Sequence, residues 1–178
     1  FLTGFSSYCQ YIAQAYPADD AEFTAHRLLN QFDCLCELYG TIRVTQSIIY
    51  VNHKSTVDWL SKSLEEQNYT VGSISGGMPH DERNSVMQKF RSGDIRVLIS
   101  TDLLSRGIDV QQVSLVLNYD IPYEKETYIH RIGRSGRFGR KGVAVNFVTQ
   151  KDYTKFKAII DHYETSIEEM PNDISSIL

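Results

Sequence analysis

Ser47-Ile48-Ile49-Tyr50-Val51, followed by Asn52-His53-Lys54, is the stretch from which the fold is read. Its first five residues form a short, β-branched, nearly continuous apolar run, as expected of a strand covered on both faces. Residues 55–66 come next, with Val57, Leu60 and Leu64 at helical spacing, and residues 69–74 read as a second strand. Pro79 suits a first helical position, Asp81 and Glu82 favour the first turn, and Gly93 marks the stop. Val86, Met87 and Phe90 give that helix its buried stripe. Residues 95–99 (IRVLI) predict a third strand and 113–119 (VSLVLNY) a fourth. A helix carrying Tyr128, Ile129 and Ile132 follows, then a fifth strand over 143–148 and a closing helix with Tyr153, Phe156 and Ile160. Strands alternating with helices at this spacing predict an α/β fold, a parallel β-sheet sandwiched by helices.

Toward the start of the chain the pattern weakens. Residues 8–13 read as an edge strand, 16–20 (YPADD) as a loop and 28–39 as an amphipathic helix. Residues 1–46 are therefore taken as a divergent strand-and-helix segment of the same domain, and 47–178 as its main body. With 178 residues, 42% of them hydrophobic and 22% charged, the chain has the size and composition of one globular domain. No apolar run reaches the roughly 20 residues of a membrane span, so no membrane partner is expected. The chain begins at Phe1, which predicts a piece of something longer. Cys9, Cys34 and Cys36 form no C-x-x-C pair; Cys34 and Cys36 read as buried thiols, and a reducing compartment follows.

The formal charge of −4 argues against a polyanionic partner only on average. Arg131, Arg134, Arg137, Arg140 and Lys141 concentrate positive charge in one short stretch. In an open parallel sheet, ligands bind outside the carboxyl ends of the strands. Asn52-His53-Lys54, Ser75-Gly76-Gly77, Thr101-Asp102 and Asp120 follow successive strands and would share one edge. Glycines without a Cβ at 76 and 77 would let a ligand approach the backbone just before a helix N-terminus, with Arg83 one turn on; an ordinary turn would use the same pair. The run His130-Arg131-Ile132-Gly133-Arg134-Ser135-Gly136-Arg137 repeats arginine every third residue. On a helix, Arg131 and Arg134 would share a face, and each glycine there costs about 1 kcal/mol against alanine. Forked guanidiniums separated by small residues fit phosphate recognition. In 101–109 (TDLLSRGID), a threonine hydroxyl, Arg106 and a ribose-accepting Asp109 offer a second polar cluster.

These motifs resemble the DEAD-box RNA helicases. HRIGRSGR is similar to the family's motif VI, TDLLSRGID to motif V and IIYVNHK to motif IV; the likeness runs from about residue 47 to the C-terminus. His130, where the DEAH relatives carry glutamine, favours the DEAD branch. SRGIDVQQVSLVLNYD, GRFGRKGVAVNFVT and TSIEEMP are closer still to the translation-initiation members and their nuclear exon-junction relative. The resemblance implies a RecA-like C-terminal domain, a P-loop NTPase-like fold without its own P-loop. It implies arginine fingers at Arg131 and Arg134 on the ATP γ-phosphate, ATP contacts from Gly107 and Asp109, and interdomain contacts from His130 and Arg137. RNA-backbone contacts would come from Asn52, His53, Gly76, Arg83, Thr101 and Arg106. Two departures stand out: His80 replaces the family's glutamine of Q-x-x-R, and Ser75-Gly76-Gly77 replaces His-Gly-Asp.

The chain contains no G-x-x-x-x-G-K-[ST] and no acidic box for Mg²⁺. The implied mechanism is a split site. ATP and Mg²⁺ would be held mainly by an N-terminal RecA-like domain, which this domain closes over while both grip single-stranded RNA or a short duplex. A scaffold protein of the initiation-factor complex, and a cytoplasmic or nuclear location, go with that resemblance. On this expectation the 178 residues hydrolyse no ATP alone. Competing readings are an exon-junction or other RNA-processing helicase, a non-catalytic RecA-like scaffold, a DNA-directed motor, and a free-standing flavodoxin-type nucleotide domain.

Overall fold

Alternation along the second strand builds the layers. In a computed structural model, which describes residues 8–14, 23–42, 44–102, 113–135 and 142–170 with side chains from Gln31 onward, Ile49 and Val51 point to one face of the sheet. Ile48 and Tyr50 point to the other. The elements in chain order are β1 (Tyr8–Gln14), α1 (Phe23–Thr41), β2 (Ser47–Tyr50), α2 (Lys54–Glu66), β3 (Val71–Ile74), α3 (His80–Ser92) and β4 (Val97–Ser100). They continue with β5 (Leu115–Asn118), α4 (Lys125–Ile132), β6 (Gly142–Val148), α5 (Tyr153–Tyr163) and β7 (Glu168–Glu169). Every strand pairing is parallel, and the sheet order is β3-β4-β2-β5-β6-β1-β7.

The helices cover both faces. On one, Leu35, Leu38 and Ile42 of the α1 region and Val57, Leu60 and Leu64 of α2 pack on Ile49, Val97, Ile99, Leu115, Leu117, Val145 and Phe147. On the other, Met87 and Phe90 of α3 cover Ile48, Tyr50, Leu98 and Val116, while Tyr128, Ile132, Phe156 and Ile159 of α4 and α5 cover Ala144 and Val148. Each fully buried Leu, Ile or Phe contributes about 1.5–3 kcal/mol relative to exposure. The central strands are therefore buried on both sides, which is why they lack a polar alternation.

The boundaries follow local chemistry. Helix α3 has Asp81 and Glu82 in its first turn, Lys89 and Arg91 in its last, and ends at Gly93 in the left-handed conformation (φ 88°). Pro79 sits one place outside the expected first helical position: its ψ of 148° makes it the N-cap, and the helix begins at His80. The expected edge strand over 8–13 is instead interior, pairing Tyr8 with Gly142 through Gln14 with Val148 on one side. On its other side the two-residue β7 adds Glu168 and Glu169 and forms the edge. No helix among the described residues is long and apolar enough to cross a membrane.

Candidate functional site

Because the strands are parallel, their carboxyl ends lie on one edge, and the loops leaving them meet there. Arg131 is the centre of that meeting. Its side chain is 0% exposed, among the largest fully buried ones described. Its Nε donates to Asp102 Oδ1 at 2.5 Å, one Nη to Asn118 Oδ1 at 3.2 Å and the Asp120 carbonyl at 2.6 Å, and the other Nη to Asn52 Oδ1 at 2.9 Å. The Tyr50 ring lies 5.2 Å from its guanidinium carbon. One cation thus ties the ends of β2, β4 and β5 to α4. A buried charge persists only when paired and hydrogen-bonded, and this one is both.

Around it, Asn52 is equally committed. Its backbone N–H donates to Asp120 Oδ2 at 2.8 Å and its amide nitrogen to the Ile121 carbonyl at 2.9 Å. Asn118 donates from Nδ2 to Asn146 Oδ1 at 2.8 Å, carrying the network beneath the rim to β6. Burial pushes the Tyr50 hydroxyl up to about 12, against the pull of the Arg134 and Arg131 guanidiniums. Arg134 is thereby placed near Tyr50 as well.

One expectation changes here. Arg131 and Arg134 do not share a helical face, because α4 stops at Ile132 and Gly133 caps it. A Cβ at Gly133 would come to 3.0 Å from the Ile129 carbonyl oxygen, a tight contact, so the helix end itself favours glycine here. The Arg134 N–H donates to the Arg131 carbonyl at 3.2 Å, in the turn beyond the helix. Four of the five N–H donors of Arg131, expected as an arginine finger, have acceptors inside the domain. Asn52, expected at the RNA backbone, has both ends of its amide engaged in the same hub.

Farther along the rim the picture reverses. Gly76 and Gly77 are exposed in the turn after β3, and Gly77 has a φ of 83° that only glycine adopts without strain. Arg83 Nε and Thr101 Oγ1 are buried atoms without a hydrogen-bond partner. These residues follow β3 and β4, neighbours in the sheet. A buried polar atom left unmatched costs about 1–3 kcal/mol, and an incoming oxygen-rich ligand would remove that cost. His53 and Lys54 are exposed after β2, and His130 is exposed on the last turn of α4. His80 Nδ1 lies 3.0 Å from the Asn84 amide nitrogen. Arg106, Gly107, Asp109 and Arg137 lie outside the described residues.

Asn118 and Asn146 were missed as site residues. Their signal was present: each is a polar residue inside an apolar strand run, VSLVLNY and VAVNFV. Cys34 and Cys36 are half-buried and free; burial first, then the neighbouring carboxylate Asp33 (and Glu37 for Cys34), holds both thiols above their ordinary values. No three His, Cys, Asp or Glu side chains converge to hold a metal among the described residues.

The all-parallel sheet, with helices on both faces and a buried arginine hub at its carboxyl edge, has the architecture of a RecA-like α/β domain. Residues 30–139 match the family model described as the helicase conserved C-terminal domain, and the chain belongs to the DEAD-box helicases as a C-terminal RecA-like domain. It is similar to the ATP-dependent RNA helicase eIF4A of Candida albicans, 58% identical over 147 residues that cover 83% of this chain and 37% of that protein. It is also similar to the ATP-dependent RNA helicase fal1 of Botryotinia fuckeliana, 57% identical over 148 residues with the same 83% and 37% coverage. Among solved structures, the C-terminal domain of the DEAD-box protein Dbp5 superposes with a TM-score of 0.80 at 36% identity, covering 94% of this chain and 92% of that one. The chain spans a little over a third of the length of the curated relatives it matches.

Proposed function

We propose that this chain is the closing half of an ATP-dependent RNA helicase, presenting one side of an RNA track and an arginine to ATP bound on a second RecA-like domain. The observation that carries this reading is the pair of rim residues Arg83 and Thr101, each with a buried polar atom unmatched within the domain. A sugar-phosphate backbone running past Gly76 and Gly77 supplies oxygens to both, and His53 adds a contact at the end of β2. Recognition of this kind reads phosphates and sugars and has little base preference.

The γ-phosphate contact is assigned to Arg134. It stands in the turn that ends α4, its N–H donating to the Arg131 carbonyl, and Arg137 lies three residues farther on in the sequence. Arg131 takes a positioning role, fixing the loops after β2, β4 and β5 so that the track and Arg134 keep their mutual geometry. Gly107 and Asp109 are assigned to the nucleotide, Arg106 to RNA, and His130 and Arg137 to the interdomain contact, from the motifs they occupy. Mg²⁺ belongs to the second domain on this reading.

An arginine finger accelerates phosphoryl transfer by about 10³–10⁵-fold. Arg134→Ala in the full-length helicase is expected to lower RNA-stimulated ATP turnover by that order while the protein still melts cooperatively. Turnover equal to wild type would remove Arg134 from the reaction. We assign the parent motor to translation initiation, in the cytoplasm and with a scaffold protein of that machinery, on its similarity to eIF4A. Depleting it should shift ribosomes from polysomes to monosomes. An unchanged polysome profile would favour an RNA-processing role instead.

A further inference from the structure

Tyr123 has no part in the track described so far, yet it is one of two large hydrophobic side chains counted as exposed among the described residues, at 64%. It follows Ile121 and Pro122, both buried at the carboxyl end of β5, so its backbone is fixed while its ring stands out. The Ile121 carbonyl is itself held by the Asn52 amide. Two residues from other elements reach the ring. The Lys155 ammonium of α5 lies 4.9 Å from its centroid, and the Tyr123 hydroxyl is 3.4 Å from His53 Nε2. Lys155 also bridges to Asp152 Oδ1 at 3.1 Å, which holds the ammonium in place from below. The ends of β2, β5 and β6 are adjacent in the sheet, so the three side chains continue the same rim away from Arg83 and Thr101.

We propose that Tyr123 is a stacking platform for one unstacked nucleobase of single-stranded RNA, with Lys155 and His53 beside it to meet the flanking phosphates. This inference rests on the RNA-track reading above and extends it from backbone contacts to a base contact. A cation over one face of an aromatic ring engages that face electrostatically and leaves the opposite face for a second partner. Stacking of this kind tolerates any base and is lost by truncation to alanine, at about 5- to 150-fold in affinity per base. A plain surface tyrosine needs neither a fixed proline anchor nor an ammonium over its ring.

The test is a titration of short single-stranded RNAs, each carrying 2-aminopurine at one successive position, with the 178-residue chain. Quenching at one position is expected. Tyr123→Ala should abolish it and weaken binding about 5- to 150-fold, while Tyr123→Phe and Tyr123→Trp stay within about twofold. Lys155→Ala should give a smaller loss. Arg83→Ala separates the two ideas. If Arg83→Ala weakens binding and Tyr123→Ala does not, the platform is wrong and the track stands. If neither moves it, or the wild-type chain binds no RNA, both fall. Adenosine monophosphate competing as well as the strand would reveal a mononucleotide pocket and overturn the assignment to RNA. Melting curves matching wild type for each variant exclude unfolding as the cause.

Discussion

Arg131 and Arg83 sit on the same carboxyl rim and do opposite things. Around Arg131 the ends of three strands contribute acceptors: a carboxylate from Asp102, amide oxygens from Asn118 and Asn52, and the Asp120 carbonyl. Arg83, in the first turns of the helix that follows the Ser75-Gly76-Gly77 turn, has no acceptor for its buried Nε. The same guanidinium is a structural tie where acceptors converge and, on the function proposed above, a ligand contact where they are absent. Residue type and spacing do not separate these cases; the surrounding inventory of hydrogen-bond partners does.

That contrast breaks most sharply at Arg131. Arg131→Met leaves Asp102 and the Asn52 and Asn118 amides without their donor, and removing one partner of a buried pair costs about 3–5 kcal/mol. Urea denaturation of the chain should show that loss; a change under about 1 kcal/mol would mean that the hub holds little together. A second measure uses Tyr50, whose hydroxyl is buried under the hub. Its folded value of about 12 exceeds the ordinary tyrosine value of about 10. The folded state therefore keeps its proton more tightly than the unfolded chain. The resulting stability is whole below about pH 10 and drains away as pH rises toward 12. Urea midpoints should fall over that window and fall less in Tyr50→Phe; identical curves would place the hydroxyl in water. At Arg83 the expected effect on stability is smallest. Arg83→Ala should change unfolding by less than about 0.5 kcal/mol, or raise stability slightly by removing an unmatched atom, while RNA affinity drops. A loss as large as that at Arg131 would erase the distinction between the two.

Much of the fold was legible because the central strands carry unbroken apolar runs. Residues 47–51, 95–99 and 143–148 each foretold a strand within about two residues of β2, β4 and β6. The helix of Val57, Leu60 and Leu64 also buries the three side chains its spacing named. The placement of β1 was not legible, since no local pattern says which strand a segment will pair with over a long separation. For the site, the strand-end rule named segments, from Ser75 to Asp120, that do follow neighbouring parallel strands on one edge of the sheet. It could not show that α4 ends between Arg131 and Arg134, because a two-residue difference in helix length lies within ordinary end variation. Nor could it show that Asn118 and Asn146 pair beneath the rim, a contact across two strands 28 residues apart in sequence.

The position of β1 has a consequence for how the chain is made. Tyr8 lies against Gly142, more than 130 residues later, and every rung of that ladder is equally remote. At roughly 5–20 residues per second of synthesis, the first strand waits on the order of ten seconds for its neighbour to leave the ribosome. During that interval its hydrogen-bonding edges stand open, and such an edge is a template for unwanted pairing. Until β6 arrives, this strand lacks the neighbour that its native ladder supplies.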